Sequence, residues 1–240
     1  MRNLITICAR GGSKGIPGKN IKKINGKPLI GYTIDCALKF AKKNKAKVAL
    51  STDCEQIKKV AEDCGLKTDY IRPDYLATDI CGKLDVLKDL LYYEEKLANN
   101  KYDYLLDLDV TSPLRTIEDI EISFEYLKAQ PNALNLFSVN LASRNPYFNM
   151  VEKKNNGYFN LVKENSNGNV LTRQSAPKVY ELNASFYWYC RHFFETNNKT
   201  VISDESLIYE MPHVCFDLDH MIDFHFLEYL ISTNNLGFNL

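Results

Sequence analysis

The stretch Cys8-Ala9-Arg10-Gly11-Gly12-Ser13-Lys14-Gly15-Ile16-Pro17-Gly18-Lys19-Asn20 carries four glycines, three cationic side chains, Ser13 and Asn20. Glycines let backbone N–H groups turn toward an anion, and cations neutralise it. Arg10, Lys14 and Lys19, at spacings of four and five, repel one another in a short loop unless something anionic joins them. The loop follows the apolar run Leu4-Ile5-Thr6-Ile7, a buried first strand. That position is where an open α/β sheet holds the phosphates of a nucleotide. It is not a P-loop, because Gly18-Lys19 is followed by Asn20, and G-x-G-x-x-G is absent. A flexible basic turn is the alternative.

A second constellation is Phe216-Asp217-Leu218-Asp219. Read as the end of a strand, it puts both carboxylates on one face, roughly 7 Å apart along the chain. Two such carboxylates suit Mg²⁺, which otherwise keeps water and substrate phosphates. Asp223 would stand behind them. The competing reading is that one carboxylate caps the helix starting near His220. Asp107 and Asp109 form another pair two apart, at the end of a predicted strand. Asp53 also follows a strand. Arg72, before Pro73, can hold a base or a phosphate, or make a surface ion pair.

Composition narrows the partners. In 240 residues, 30 basic side chains balance 30 acidic ones, so nothing in the bulk charge favours nucleic acid or a membrane surface. An apolar share of 45% supports a core for one large domain. The seven cysteines contain no C-x-x-C pair and read as reduced thiols, which suits the cytoplasm. No secretory leader or membrane-spanning run is expected. The four histidines make no metal site: His220 and His225 diverge around a helix.

The elements that position these residues follow from periodicity. Helices are predicted over 28–44, from Ser51-Thr52-Asp53 to Cys64, over 82–99, 118–130 and 220–232. Strands are predicted at 47–51, 68–72, 103–109, 134–140, 185–190 and 214–217. The first 130 residues thus alternate strand and helix, which implies an α/β fold with a doubly wound, mainly parallel sheet. Residues 141–183 change texture. Asn155-Asn156-Gly157 and Asn165-Ser166-Asn167-Gly168 are turn signals. We read a small β-rich arm inserted in a single domain, reaching a partner subunit or covering a site; a disordered loop is the alternative.

Taken together, these segments resemble the CMP-acylneuraminate synthetases, cytidylyltransferases that activate sialic acid and related nonulosonates. The likeness runs through Ala9–Asn20, Ser51-Thr52-Asp53, Arg72-Pro73, Leu76–Asp79, Thr111-Ser112-Pro113-Leu114-Arg115, Thr172-Arg173-Gln174 with Tyr180 and Asn183, and Phe216–Asp219. It implies a Rossmann-like nucleotidyltransferase that joins CMP from CTP to a nonulosonic acid and releases pyrophosphate. Lys19, Arg10, Asp217 and Asp219 would be catalytic. Arg10, Gly11, Ser13, Lys14, Asn20 and Arg72 would bind the nucleotide. Asp109, Thr111, Ser112, Arg173, Gln174 and Lys83 would bind the sugar, and Asp217 with Asp219 would hold Mg²⁺. The resemblance further implies a homodimer assembled through the arm.

Three positions depart from the family pattern. Asp109-Val110 replaces Gln-Pro, Lys83 replaces a small hydroxyl residue, and Ala184 replaces glycine. Asp109 is expected to read the sugar as an acceptor. The departures leave open which sugar is used, with legionaminic and pseudaminic acids alongside N-acetylneuraminic acid. Two rival readings are the synthetase for the eight-carbon sugar 3-deoxy-manno-octulosonate and a non-catalytic nucleotide-sugar binding protein. Intact Lys19, Asp217 and Asp219 argue against the last.

Overall fold

A computed structural model describes residues 1–12, 15–166, 168 and 170–240 of the chain. The elements in order are β1 (Asn3–Cys8), the short strands β2 (Lys23–Ile24) and β3 (Lys27–Pro28), α1 (Leu29–Asn44), β4 (Lys47–Ser51), α2 (Glu55–Asp63), α3 (Lys83–Ala98), β5 (Tyr104–Asp109), α4 (Ile117–Lys128), β6 (Asn135–Leu141), β7 (Val151–Lys153), β8 (Phe159–Leu161), β9 (Tyr180–Cys190), β10 (Ser206–Glu210) and α5 (Met221–Ser232). The six-stranded central sheet runs β10-β6-β9-β5-β1-β4. β1 pairs in parallel with β4 and β5, while β9 runs antiparallel to β5.

Continuous apolar runs explain the buried strands, since both faces of a parallel sheet are covered. Leu4, Ile5 and Ile7 of β1 and Leu106 and Leu108 of β5 are wholly buried. α1 buries Ile30, Ile34, Ala37 and Phe40, one stripe of a 3.6-residue period. It ends at Lys45, in the left-handed region at φ 52°. Trp188 of β9 closes the core: it stacks on Phe124 with centroids 4.2 Å apart and meets Phe40 edge-on at 5.9 Å.

Two predicted strands are absent. Residues 68–72 form no strand; single bonds tie them to the end of β4, from Arg72 N to the Thr52 carbonyl and from Thr68 Oγ1 to the Leu50 carbonyl. Residues 214–217 are also irregular; their neighbour Leu218 is pinned by its N–H to the Thr111 carbonyl at 2.9 Å. β10 was not predicted.

Two compact units divide the chain: Met1–Ser138 with Asn183–Leu240, and Val139–Leu182. The second contains the β7–β8 hairpin, whose turn places Gly157 at φ 85°. It exposes Tyr158, Phe159 and Leu171, at 77%, 67% and 80%.

Candidate active site

Strand register brings the chemistry to one edge. Cys8, the last residue of β1, lies opposite Ser51 on β4 and Asp109 on β5. The glycine-rich loop, Asp109 and the residues after Ser51 therefore leave the sheet together at its carboxyl end, where open α/β sheets bind ligands.

The loop is held by its own polar residues. Asn20, 6% exposed, donates from Nδ2 to the Arg10 carbonyl at 2.9 Å. Gly11 N–H donates to Asp53 Oδ1 at 2.9 Å. Asp53 therefore anchors the loop, and α2 starts after Cys54 with no side-chain cap. Arg10 Nη1 pairs with Asp79 Oδ1 at 2.6 Å. Ser13 and Lys14, both expected at the nucleotide, lie outside the described residues.

Lys19 and the two C-terminal carboxylates come together. Lys19 Nζ donates to the Leu218 carbonyl at 2.5 Å, and Leu218 is buried between Asp217 and Asp219. A cavity of about 300 Å³ is lined by Arg10, Gly15, Lys19, Asn20, Thr111 and Asp219. Gly15 passes so close to the Asp219 carbonyl that a Cβ there would collide with it. The helix cap is supplied by Asp223, whose Oδ2 accepts from Asp219 N–H at 3.0 Å and His220 N–H at 2.7 Å. Asp217 and Asp219 are thus not needed for capping.

The Asp217–Asp219 pair fits a divalent cation. Asp217 Oδ1 is buried with no hydrogen-bond partner among the described residues. Burial pushes the Asp217 carboxyl up, and the neighbouring Asp109 and Asp219 push it further, against Thr111 and Lys19. A carboxylate with one buried oxygen left without a hydrogen-bond partner, beside other carboxylates, gains from a cation. No group of three or more His, Cys, Asp or Glu gathers there among the described residues. Two carboxylates suit Mg²⁺, which takes one or two from a protein and the rest from water and phosphate, rather than a full protein cage.

A second cavity, of about 250 Å³, shares Cys8 and Arg10 with the first and adds Arg72, Thr78, Lys83 and Asp109. Arg72 is 5% exposed and makes no ion pair among the described residues; Nε and Nη2 donate to Ser51 Oγ and its carbonyl, both at 2.9 Å. Burial pushes the Cys8 thiol up to about 12, with Asp107 adding to it. It is not a nucleophile at neutral pH.

Asp109 differs from the expected sugar acceptor. Its Oδ1 takes Thr111 N–H at 3.0 Å and Thr111 Oγ1 at 2.9 Å, and its Oδ2 takes Lys83 Nζ at 2.6 Å. Burial alone would raise its carboxyl, but Lys83 and Thr111 together hold it down at about 2. Ser112 also differs: it is wholly buried, with its hydroxyl facing Cys215 Sγ at 3.5 Å. It belongs to the frame because the turn after β5 folds it inward. Arg115 of the same motif frames too, donating to Ser185 Oγ at 2.9 Å and to the carbonyls of Ser112 and Asp109.

Arg173 and Gln174 lie in the second compact unit, on a single 3₁₀ turn opened by Thr172. Both are exposed, and Arg173 Nη2 donates to the Ser143 carbonyl at 2.6 Å. Ala184 sits at φ 58° in β9, a conformation glycine adopts without cost. The Lys83 contacts with Asp107 and Asp109 were missed in the sequence. One signal was available: Lys83 and Asp109 both depart from the family pattern, as a cation and an anion.

Comparison with known proteins is consistent in kind. The profile of the cytidylyltransferase family matches residues 4–228. A "CMP-N,N'-diacetyllegionaminic acid synthase" of Campylobacter jejuni is 40% identical over 98% of this chain and 97% of its own length. A "post-translational flagellin modification protein B" of Campylobacter coli is 40% identical over 97% of this chain and 96% of its own. The solved structure of CMP:2-keto-3-deoxy-manno-octonic acid synthetase complexed with CTP superposes with a TM-score of 0.70 at 18% identity, covering 98% of this chain and 100% of that one.

Proposed function

We propose that this chain, which belongs to the cytidylyltransferase family, transfers CMP from CTP to the anomeric hydroxyl of a nonulosonic acid, with N,N'-diacetyllegionaminic acid as the favoured sugar. The observation that carries the reading is the end-to-end 40% identity with the C. jejuni legionaminic acid synthase. The likeness to the octonic acid synthetase, at 18% identity, carries the fold alone.

In this reading the triphosphate lies against the loop 10–20, and the hydroxyl oxygen bonds to the α-phosphorus as the bond to pyrophosphate breaks, its proton passing to water. Lys19 sits where charge grows on the departing phosphates and stabilises it. Arg10, Asn20 and Arg72 line the nucleotide side, with Ser13 and Lys14 in the same loop. Asp217 and Asp219 would hold Mg²⁺, which when bound neutralises and orients the phosphates. Arg173 and Gln174 would grip the sugar, Arg173 through its carboxylate. We further propose a homodimer built through the 141–183 arm, whose exposed Tyr158, Phe159 and Leu171 need a covering surface. A cytoplasmic location fits seven cysteines that form no disulfide and, among the described residues, no helix long and apolar enough to cross a membrane.

The test is pyrophosphate release from CTP and Mg²⁺ with legionaminic, pseudaminic, N-acetylneuraminic and 3-deoxy-manno-octulosonic acids. Release with the eight-carbon sugar alone would move the enzyme to the other branch. Binding of CTP without release for any sugar would support the non-catalytic rival. Full activity in a species whose mass by light scattering is that of one protomer would remove the dimer.

A further inference from the structure

Lys83 is the first residue of α3, and it reaches across to two carboxylates on β5. Its Nζ stands 2.7 Å from Asp107 Oδ2 and 2.6 Å from Asp109 Oδ2. Asp107 is wholly buried, a position a carboxylate tolerates only with a close cation or a retained proton. Its other oxygen, Oδ1, accepts from Thr6 Oγ1 at 3.0 Å. Asp109 Oδ1 is taken by Thr111. Three of the four carboxylate oxygens therefore have a hydrogen-bond donor, and the fourth, buried Asp107 Oδ2, has the Lys83 ammonium beside it as an ion pair without a hydrogen bond among the described residues.

The ammonium has three N–H groups; Asp109 Oδ2 takes one in a hydrogen bond and Asp107 Oδ2 pairs with the charge, which leaves at least one N–H for another acceptor. Its side chain is 31% exposed and lines the cavity shared with Arg10 and Arg72. Nζ also stands 5.2 Å from the centroid of the Tyr187 ring, a wall that resists displacement of the lysine. A ligand entering this cavity meets a donor held in place by two acids, not an acceptor.

We propose that Lys83 is a specificity-determining residue whose remaining N–H donates to an acceptor oxygen of the substrate, with Asp107 and Asp109 as the residues that position it. The inference rests on the cytidylyltransferase reading. The acceptor is a hydroxyl or carbonyl oxygen, and two sources offer one: the nucleoside of CTP and the sugar. A hydrogen bond from a charged donor lost on truncation corresponds to about ten- to hundred-fold in affinity.

The experiment uses Lys83→Met and, because that change leaves buried Asp107 without its cation, also Lys83→Met/Asp107→Asn, which removes both charges. Folding is checked by circular dichroism. Calorimetry measures CTP affinity without sugar, and steady-state kinetics measures kcat and KM for N,N'-diacetyllegionaminic acid at saturating CTP. A ten-fold or greater loss of CTP affinity in a folded variant places the acceptor on the nucleotide. The same loss in kcat/KM for the sugar, with CTP affinity kept, places it on the sugar. Both quantities within two-fold of wild type in a folded variant overturn the proposal and leave Lys83 a structural counter-ion. A wild-type protein that neither binds CTP nor releases pyrophosphate overturns the cytidylyltransferase reading itself, and this inference with it.

Discussion

Lys19 Nζ donates to the main-chain carbonyl of Leu218 at 2.5 Å, so the cation of the glycine-rich loop grips the segment that carries Asp217 and Asp219. The loop after β1 and the segment before α5 are almost the full chain apart in sequence. One bond ties this cation to the segment that carries the two carboxylates. Lys19→Ala should lower kcat by about 10²-fold or more, as removal of one preorganised charge-stabilising group does. Steady-state kinetics reads the outcome; an unchanged kcat with only a raised KM for CTP would mean that Lys19 binds and does nothing more.

Asp219→Asn should cut turnover by orders of magnitude, because a neutral amide is a poor ligand for Mg²⁺. The side chain is exposed, so folding should persist. Titration of activity with Mg²⁺ separates the cases. Wild-type turnover at low Mg²⁺ would sink the metal assignment.

Gly15 permits the close approach of the loop to the Asp219 carbonyl, where an added Cβ would collide with main chain. Main chain cannot swing away as a flexible side chain does. Gly15→Ala should therefore displace the 217–219 segment and lower kcat/KM by about ten-fold or more, a cost typical of a 1 Å misplacement. The melting temperature should change little, since loop and carboxylates both lie at the sheet edge. Wild-type kcat/KM in this variant would show that the approach is not required.

Much of this arrangement is legible in the sequence, and what is not has a physical reason. The buried strands β1, β4 and β5 announce themselves as apolar runs, and the loop after β1 by its glycines and cations. Residues 68–72 have strand-like composition, but Pro73 follows, and only isolated bonds to the end of the edge strand β4 form. Asp217 and Asp219 flank buried Leu218 as alternation implies, yet the segment is fixed by Thr111 and Lys19 rather than by a ladder. Asp223 caps α5 and also accepts from Asp219 N–H, a local role that spacing to a metal pair does not announce. The Lys83 pairing joins α3 to β5 across 26 residues, and no periodicity encodes such a contact.

Ala184 occupies φ 58° within β9, between Asn183, whose Oδ1 accepts from Ser185 N–H at 3.1 Å, and the strand interior. A non-glycine residue in this region costs about 1–2 kcal/mol, and glycine recovers part of that against its greater unfolded-state freedom. Ala184→Gly should stabilise the protein by about 1 kcal/mol, or roughly 2–4 °C in Tm for a chain of this size. Calorimetry decides; a lowered Tm would mean the methyl group packs better than its strain costs.

A further pH dependence belongs to His213. Its Nε2 lies 3.0 Å from Asp119 Oδ2 and its Nδ1 3.0 Å from the Val214 carbonyl, so both nitrogens face acceptors. Asp119 also takes Thr116 Oγ1 at 2.6 Å and the Tyr209 hydroxyl at 3.1 Å, and the Phe238 ring stacks on the imidazole at 3.9 Å. Burial pulls the His213 pKa down, but Asp119 and the Val214 carbonyl outweigh it and raise it above 6.5. For Asp119, burial raises the carboxyl while His213 and Thr116 hold it below 3.8. A raised histidine contributes stability that is complete below its unfolded value and is lost as pH climbs through its folded value. A depressed carboxyl contributes stability above its unfolded value that is lost as pH falls through its folded one. The pair therefore stabilises most between pH 3.8 and 6.5, and stability should decline as pH rises beyond that window. The clamp joins the cap of α4 to β10 and to the C-terminal segment that carries Phe238. His213→Gln keeps a donor but not the charge. It should flatten the decline above pH 6.5 and lower stability at pH 6 by about 1 kcal/mol, the scale of one charge-assisted hydrogen bond in a half-buried setting. Urea unfolding at pH 6 and pH 8.5 measures both; an identical pH slope in wild type and variant would mean that His213 does not titrate with folding.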